Sequence, residues 1–258
     1  MSIPIDKRAI VSPSAKIGKG TSIGPFAVVG DNVEIGSNCV IDSFAQVLGF
    51  TKIGRGCRIF SYAVVGNIPQ DLKYKGEETY LVIGNNNRIR EFVTINPGTN
   101  KGDKTIIGND NLLMAYSHIA HDCIVGNNNV LANSATLAGH VQIGNKVVIG
   151  GLTAVHQFCR LGDFSIVGGC SKVVQDIPPY SMCDGHPAAI RGLNIVGMKR
   201  AKFSVAKVRD LKKAFKILFF ENHPCSEAKK LVEDSLPESL EVKNLLDFVS
   251  TSKRGLSK

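Results

Sequence analysis

The chain has 258 residues, enough for one large domain or two small ones; aromatics are only 7%, tryptophan is absent and 26 glycines are spread along it, which suits a thin scaffold filled by aliphatic side chains better than a thick globular core. The formal charge of +9 is uneven: residues 199–258 hold 14 Lys/Arg against 8 Asp/Glu, so the first 198 residues have a surplus of only three and offer no continuous basic face for nucleic acid. The start MSIPIDKRAIV has no signal-peptide core, no run approaches the ~18 apolar residues of a membrane span, and seven cysteines without a CxxC pair argue against a disulfide framework and a structural zinc site; a protein of the reducing cytoplasm is expected.

A six-residue period governs most of the chain. Stepping by six from Ile5 to Val173 visits 29 positions, of which 26 are Ile, Val or Leu; these three types fill 67 of the 258 positions, so chance would give seven or eight. The exceptions are Asp71, Glu77 and Lys101. Two residues before the aliphatic stands a small side chain, as at Ala9, Ala15, Thr21, Ala27, Cys39, Ala45 and Cys57. Small-x-large alternation directs both side chains to one face of a short strand. One residue after the aliphatic is often glycine, as at Gly18, Gly36, Gly54, Gly108 and Gly126, which predicts corners with unusual backbone torsions. Strand and corner at six residues per side describe a β-solenoid.

The period breaks at 66–80 and 96–105, predicting two loops ejected from the rod, a place where function often resides. It ends after Val173, and from 195 the pattern turns helical: Val208, Leu211, Phe215, Leu218 and Phe219 share one face, with Leu231, Leu245, Leu246, Phe248 and Val249 beyond a break at Pro224. The expected organisation is a solenoid over 1–194 and a helical domain over 195–258.

Four of the six histidines, His118, His121, His140 and His156, lie within 39 residues. The repeat resembles that of the hexapeptide-repeat acyltransferases, which implies three hexads per coil; in that eighteen-residue count these four occupy coil positions 10, 13, 14 and 12, so successive coils gather them at one corner, within ~10 Å along the axis. None stands in an inward column. A histidine beside a carboxylate can take a proton from a hydroxyl, and His121-Asp122 supplies both types, although adjacent residues often point apart. A convex edge is not a pocket, so this corner needs a second wall from a loop or a neighbouring copy. Cys39 and Cys57, like Cys123 and Cys159, fall in the small inward column and read as packing residues, not nucleophiles.

The resemblance to the hexapeptide-repeat acyltransferases also implies a mainly β fold, a left-handed parallel β-helix with a C-terminal α-helical domain; the handedness comes from the resemblance alone, since ordinary crossovers are right-handed. More specifically, DLKYKGE at 71–77, NRIRE at 87–91, HIAHDC at 118–123, LAGH at 137–140, GGLTAVHQF at 150–158, VGGC at 167–170 and QDIPPY at 175–180 resemble the UDP-N-acetylglucosamine O-acyltransferase family over nearly the whole chain. That resemblance implies a homotrimer with sites between subunits, acting at the first step of lipid A synthesis. It implies His121 as general base on the sugar 3-hydroxyl of UDP-N-acetylglucosamine, with Asp122 beside it, and Gly139 N–H as oxyanion donor during attack on a (3R)-hydroxyacyl acyl carrier protein. Asp71, Lys73, His118, His140 and Gln157 match substrate contacts, His156 lies beside the acyl 3-hydroxyl, Asn194 and Arg200 match contacts near the nucleotide and the phosphopantetheine arm, and Gly169 falls where acyl length is set. No metal and no cofactor are expected beyond the phosphopantetheine carried by the acyl carrier protein.

Val196, Ala201 and Pro187 depart from residues common in the family, at Glu, Arg and His positions respectively. Gly169 lacks a side chain, so a longer hydroxyacyl chain is predicted over a very short one. The stretch 199–216 carries eight cations against Asp210 alone and suits docking of an acidic carrier protein. Three rival readings remain: an N-acyltransferase acting on a 3-amino UDP-sugar analogue, a zinc-dependent trimer resembling the γ-carbonic anhydrases, and a catalytically silent scaffold.

Overall fold

The structure, a computed structural model, describes residues 5–236 and 239–257. Among these residues, three sheets of nine, eight and ten strands form the faces of a triangular rod. Most strands are two residues long and pair in parallel with the strand one coil later, as in Ile10↔Val28, Lys16↔Glu34 and Ser22↔Val40. The hexad aliphatics fill the interior: Ile23, Ile41, Ile59, Ile89, Leu113 and Leu131 are fully buried, with Cys39, Cys57, Cys123 and Cys159 in the small column beside them. Burial pushes the thiols of Cys123 and Cys159 up to about 12 and about 11, which suits packing residues and not nucleophiles.

The eighteen-residue count holds only between loops. Thr51 pairs with Leu81, thirty residues on, and Leu81 with Thr105, twenty-four on, so the two loops add twelve and six residues to their coils. Strand resumes at Tyr80 and at Lys104, one and two residues inside the expected loop bounds.

The glycine column has a different cause from the one expected. Apart from Gly66 (φ 82°), the left-handed torsions fall two residues later, on Asn38, Asp110, Asp122, His140 and Phe158 among others, with φ near 60°. The glycines are required by close stacking: a Cβ on Gly36 would lie 2.7 Å from the carbonyl carbon of Gly54, and one on Gly108 would lie 2.6 Å from Gly126 O. Buried Asn87, Asn111 and Asn129 lock the same corner. Asn111 N–H donates to Asn87 Oδ1 (2.9 Å), Asn129 N–H to Asn111 Oδ1 (2.8 Å) and Val147 N–H to Asn129 Oδ1 (2.7 Å). Each ladder bond satisfies a buried donor that would otherwise be costly.

A second corner carries a ridge of stacked rings, Phe26, Phe44, Tyr62, Phe92 and Tyr116, with centroids 4.8–5.2 Å apart. All five are exposed.

After Lys172–Val173 the chain makes an antiparallel hairpin, Ser181–Gly185 with Ala188–Leu193, that extends one face. Helices follow: α1 (Ile195–Arg200), α2 (Val205–Phe215) running into a π-type turn Lys216–Phe220, α3 (Cys225–Ser235) and α4 (Leu240–Ser250). Leu211, Phe215, Leu218, Leu245 and Val249 bury the helical face, but Leu231 is exposed and Val232 takes the inward position. Among the described residues no helix is long and apolar enough to cross a membrane.

Candidate active site

The corner between the nine-stranded and eight-stranded faces carries the histidines. Strands His118–Ile119, Thr136–Leu137 and Ala154–Val155 are consecutive neighbours in the nine-stranded face. His121, Gly139 and Gln157 therefore occupy equivalent corner positions on successive coils, and Asp122, His140 and Phe158 the next position along. Both loops leave the rod at this corner, and the first of them returns Asp71 to it.

The contact left open by adjacency is made. Asp122 sits at φ 60°, which turns its side chain back toward the preceding residue, and its Oδ2 lies 2.8 Å from His121 Nδ1. An ionised carboxylate only accepts, so this contact calls for a proton on Nδ1. Asp122 is held in turn by the Thr99 N–H (3.3 Å) from the second loop and faces His140 Nε2 at 3.7 Å. Asp71 Oδ2 approaches His121 Nε2 to 3.6 Å. The His140 ring stacks on Phe158 at 4.7 Å and meets the His121 ring edge-on at 5.2 Å.

His118 lies on the strand before this corner, with Nδ1 2.7 Å from Thr94 Oγ1. Burial, with the neighbouring His121 as a second contribution, holds its pKa below the ordinary imidazole value. Gly139 is buried against His121: a Cβ there would stand 2.4 Å from Cε1 and 2.6 Å from Nε2. Beside His140, a recess of about 760 Å³ is lined by Phe158, Arg160, Asp176, Thr251, Lys253 and Arg254.

Not every expected residue meets here within one chain. Asp71, His118, His121, Asp122, Gly139, His140, His156 and Gln157 share this edge, and the exposed Lys73 stands in the loop that brings Asp71. Gly169 lies at the corner with the aromatic ridge, one turn after Gly151. Asn194 sits at the third corner, where its side chain caps α1 by accepting from Gly197 N–H (2.9 Å) and donating to Phe164 O (2.8 Å). Arg200 is exposed at the end of α1. Three partners were invisible to sequence spacing. Thr94 stands twenty-four residues before His118 because the second loop adds six. Thr99 acts through its backbone, and Arg254 arrives from the C-terminal tail. Phe158 could have been found, since it follows His140 by one coil.

Oxygen and nitrogen atoms of His121, Asp122 and His140 all lie within 4.8 Å of one another, a donor set that zinc accepts. Two of these atoms, His121 Nδ1 and Asp122 Oδ2, are also within hydrogen-bond distance of each other.

A family model described as UDP N-acetylglucosamine O-acyltransferase, domain 2, matches residues 176–257, and the bacterial transferase hexapeptide model matches 32–67 and 104–139. A relative from Sulfurihydrogenibium sp., named acyl-[acyl-carrier-protein]–UDP-N-acetylglucosamine O-acyltransferase, is 59% identical over 99% of this chain and 94% of its own. One of the same name from Trichlorobacter lovleyi is 55% identical over 98% of both chains. Among solved structures, the UDP-N-acetylglucosamine acyltransferase of Bacteroides fragilis is 42% identical with a TM-score of 0.96, covering 98% of this chain and 99% of that one. LpxA from Acinetobacter baumannii is 43% identical with a TM-score of 0.95 over the same shares. The architecture is accordingly mainly β, a left-handed parallel β-helix with C-terminal helices.

Proposed function

This chain belongs to the UDP-N-acetylglucosamine O-acyltransferase family, and from that premise we propose that it transfers a (3R)-hydroxyacyl chain from acyl carrier protein to the 3-hydroxyl of UDP-N-acetylglucosamine, the first step of lipid A synthesis, with His121 as general base. The observation that carries the base assignment is the 2.8 Å bond between His121 Nδ1 and Asp122. It leaves Nε2 as a proton acceptor, and the carboxylate stabilises the imidazolium once the proton has moved. The freed sugar oxygen attacks the thioester carbonyl, and negative charge develops on the carbonyl oxygen. The Gly139 N–H is the fixed donor for that charge. Collapse of the tetrahedral intermediate expels the phosphopantetheine sulfur, which takes the proton back from His121. Asp71, Lys73, His118, His140, His156 and Gln157 are assigned to binding the two substrates, and no metal or cofactor takes part.

The enzyme acts as a homotrimer in this reading. Asn194, Arg200 and Gly169 stand at other corners of the same chain, so they reach a histidine edge only from a neighbouring copy. The exposed ridge from Phe26 to Tyr116 supports an assembly that covers it, because a lone soluble chain rarely exposes so continuous an apolar strip. On α2 the exposed Arg209, Lys212 and Lys213 suit an acidic carrier protein.

Purified protein mixed with UDP-N-acetylglucosamine and a ladder of hydroxyacyl carrier proteins tests the reaction by mass spectrometry. The expected product is an alkali-labile monoacyl nucleotide; an alkali-stable amide, formed only from a 3-amino sugar, would transfer the assignment to the rival acceptor. Length preference is expected to favour longer hydroxyacyl chains. Gly169 brings no side chain to that corner, where a Cβ would already stand 3.2 Å from Gly151 O. Preference for acetyl donors would defeat this part.

The clustering of His121, Asp122 and His140 is the one observation that favours a zinc hydrolytic reading. Dialysis against a strong chelator is expected to leave acyl transfer unchanged. Loss of turnover that added Zn²⁺ restores would replace the general-base mechanism with a metal-assisted one.

A further inference from the structure

The C-terminal tail is bonded to the edge that carries the histidines. Asp176 N–H donates to Gly255 O (2.9 Å) and Ser257 N–H to Asp176 O (3.0 Å), which makes Leu256 a parallel partner of Asp176. Ser252 Oγ donates to the buried Asp176 carboxylate (2.8 Å), and the Arg160 guanidinium donates to Thr251 O (3.1 Å) and Thr251 Oγ1 (3.0 Å). Held this way, the tail delivers Arg254 to the coil. Its Nη2 lies 3.2 Å from Val174 O and 3.3 Å from His156 Nδ1.

His156 Nδ1 also lies 3.2 Å from Gln157 O, and the two contacts demand opposite states of the ring. A carbonyl oxygen only accepts, so it requires a proton on Nδ1. A guanidinium only donates, so it requires a lone pair there. Arginine keeps its charge under all ordinary conditions. A proton on Nδ1 would point one N–H at another, and a protonated ring would set two cations side by side. Val174 O anchors the guanidinium independently of the ring, so the imidazole is the partner that must adapt.

We infer that Arg254 is a positioning residue that fixes His156 in its neutral Nε2–H form, making it a hydrogen-bond donor and not a base. The contrast with His121 is internal to one edge. A carboxylate on Nδ1 leaves His121 with an accepting Nε2, whereas a guanidinium on the same atom leaves His156 with a donating one. His156 is exposed, so what it recognises is an acceptor oxygen on a ligand: a hydroxyl, carbonyl or phosphate. This inference uses the acyl-transfer reading only for its kinetic readout.

The test is heteronuclear NMR of the full-length, deuterated protein labelled with ¹⁵N-histidine, at pH 8, where an ordinary imidazole (pKa about 6.5) is neutral whatever its tautomer. His156→Gln identifies the signal. The expected spectrum shows Nε2 protonated and Nδ1 bare. Arg254→Met is expected to move the His156 proton to Nδ1, toward Gln157 O, while Arg254→Lys keeps it on Nε2. With the hydroxyacyl carrier protein as variable substrate, Arg254→Met is expected to raise KM about tenfold and to change kcat less than twofold. An Nδ1–H ring in the unaltered protein, or a tautomer that Arg254→Met does not change, overturns the assignment. A reversed tautomer without any change in KM leaves the tautomer assignment standing and counts against the acyl-donor site, so the two failures are distinguishable.

Discussion

His121→Ala is expected to lower kcat about a thousandfold while the melting temperature and the oligomeric state stay as they are. The magnitude follows from what a placed general base contributes, about 10²–10⁴ in rate. The fold should tolerate the change because His121 belongs to the corner, outside the aliphatic columns, and no buried hydrophobic contact depends on it. Its removal does not strand the Asp122 carboxylate either. Asp122 still accepts from Thr99 N–H and still faces His140, so the penalty of an unpaired buried charge is avoided. His140→Ala is the informative control: it removes a ring stacked on Phe158 but no lone pair from the reacting position, and it is expected to raise KM more than it lowers kcat. Near-normal kcat in His121→Ala would refute the base assignment outright. A comparable loss from both variants, with the oligomeric state unchanged, would point to a shared binding role.

The sequence carried the rod, because a β-solenoid repeats its geometry every six residues and each turn of the repeat marks the chain with an aliphatic. It also carried the histidine corner, since His118, His121, His140 and His156 all lie beyond the second loop, where counting by eighteens is unbroken. Two kinds of feature escaped it. One is any contact that crosses an insertion: Thr94 and Asp71 reach their imidazoles only after loops of six and twelve extra residues have been absorbed. The other is backbone strain transferred between positions. The column of glycines looked like the site of left-handed torsions, but the rod spends its glycines on coil-to-coil contact and places Asp122 and His140 in the strained positions instead. That substitution matters chemically, because the left-handed torsion at Asp122 is what folds its carboxylate back onto His121. Short polar side chains tolerate this conformation better than branched ones, so an aspartate there serves both the corner and the site.

Gly139→Ala is expected to lower kcat by about a hundredfold, and the loss should vanish in the absence of His121. Gly139 does not adopt a left-handed torsion, so alanine fits its backbone and the conflict is one of space alone. The added Cβ would stand 2.4 Å from His121 Cε1, 2.6 Å from Nε2 and 3.1 Å from Nδ1, and something must give way. The backbone is poorly placed to do so: Ala138 N–H bonds Val155 O (3.0 Å), His140 N–H bonds His121 O (3.0 Å) and Phe158 N–H bonds Gly139 O (3.2 Å), which ties the segment to the coils on both sides. The imidazole moves instead, away from the 2.8 Å bond to Asp122 and from the hydroxyl it is proposed to deprotonate. A displacement of about 1 Å at a reacting group costs on the order of 10² in rate. The double variant separates this from a role of the Gly139 N–H itself, which alanine retains. If the clash is the cause, His121→Ala with Gly139→Ala turns over no more slowly than His121→Ala alone, a coupling that independent sites would not show. A further tenfold loss on adding Gly139→Ala to His121→Ala would mean that the extra methyl also disturbs the oxyanion donor, and full activity in Gly139→Ala would mean that the His121 ring does not work from the position against which Gly139 is packed.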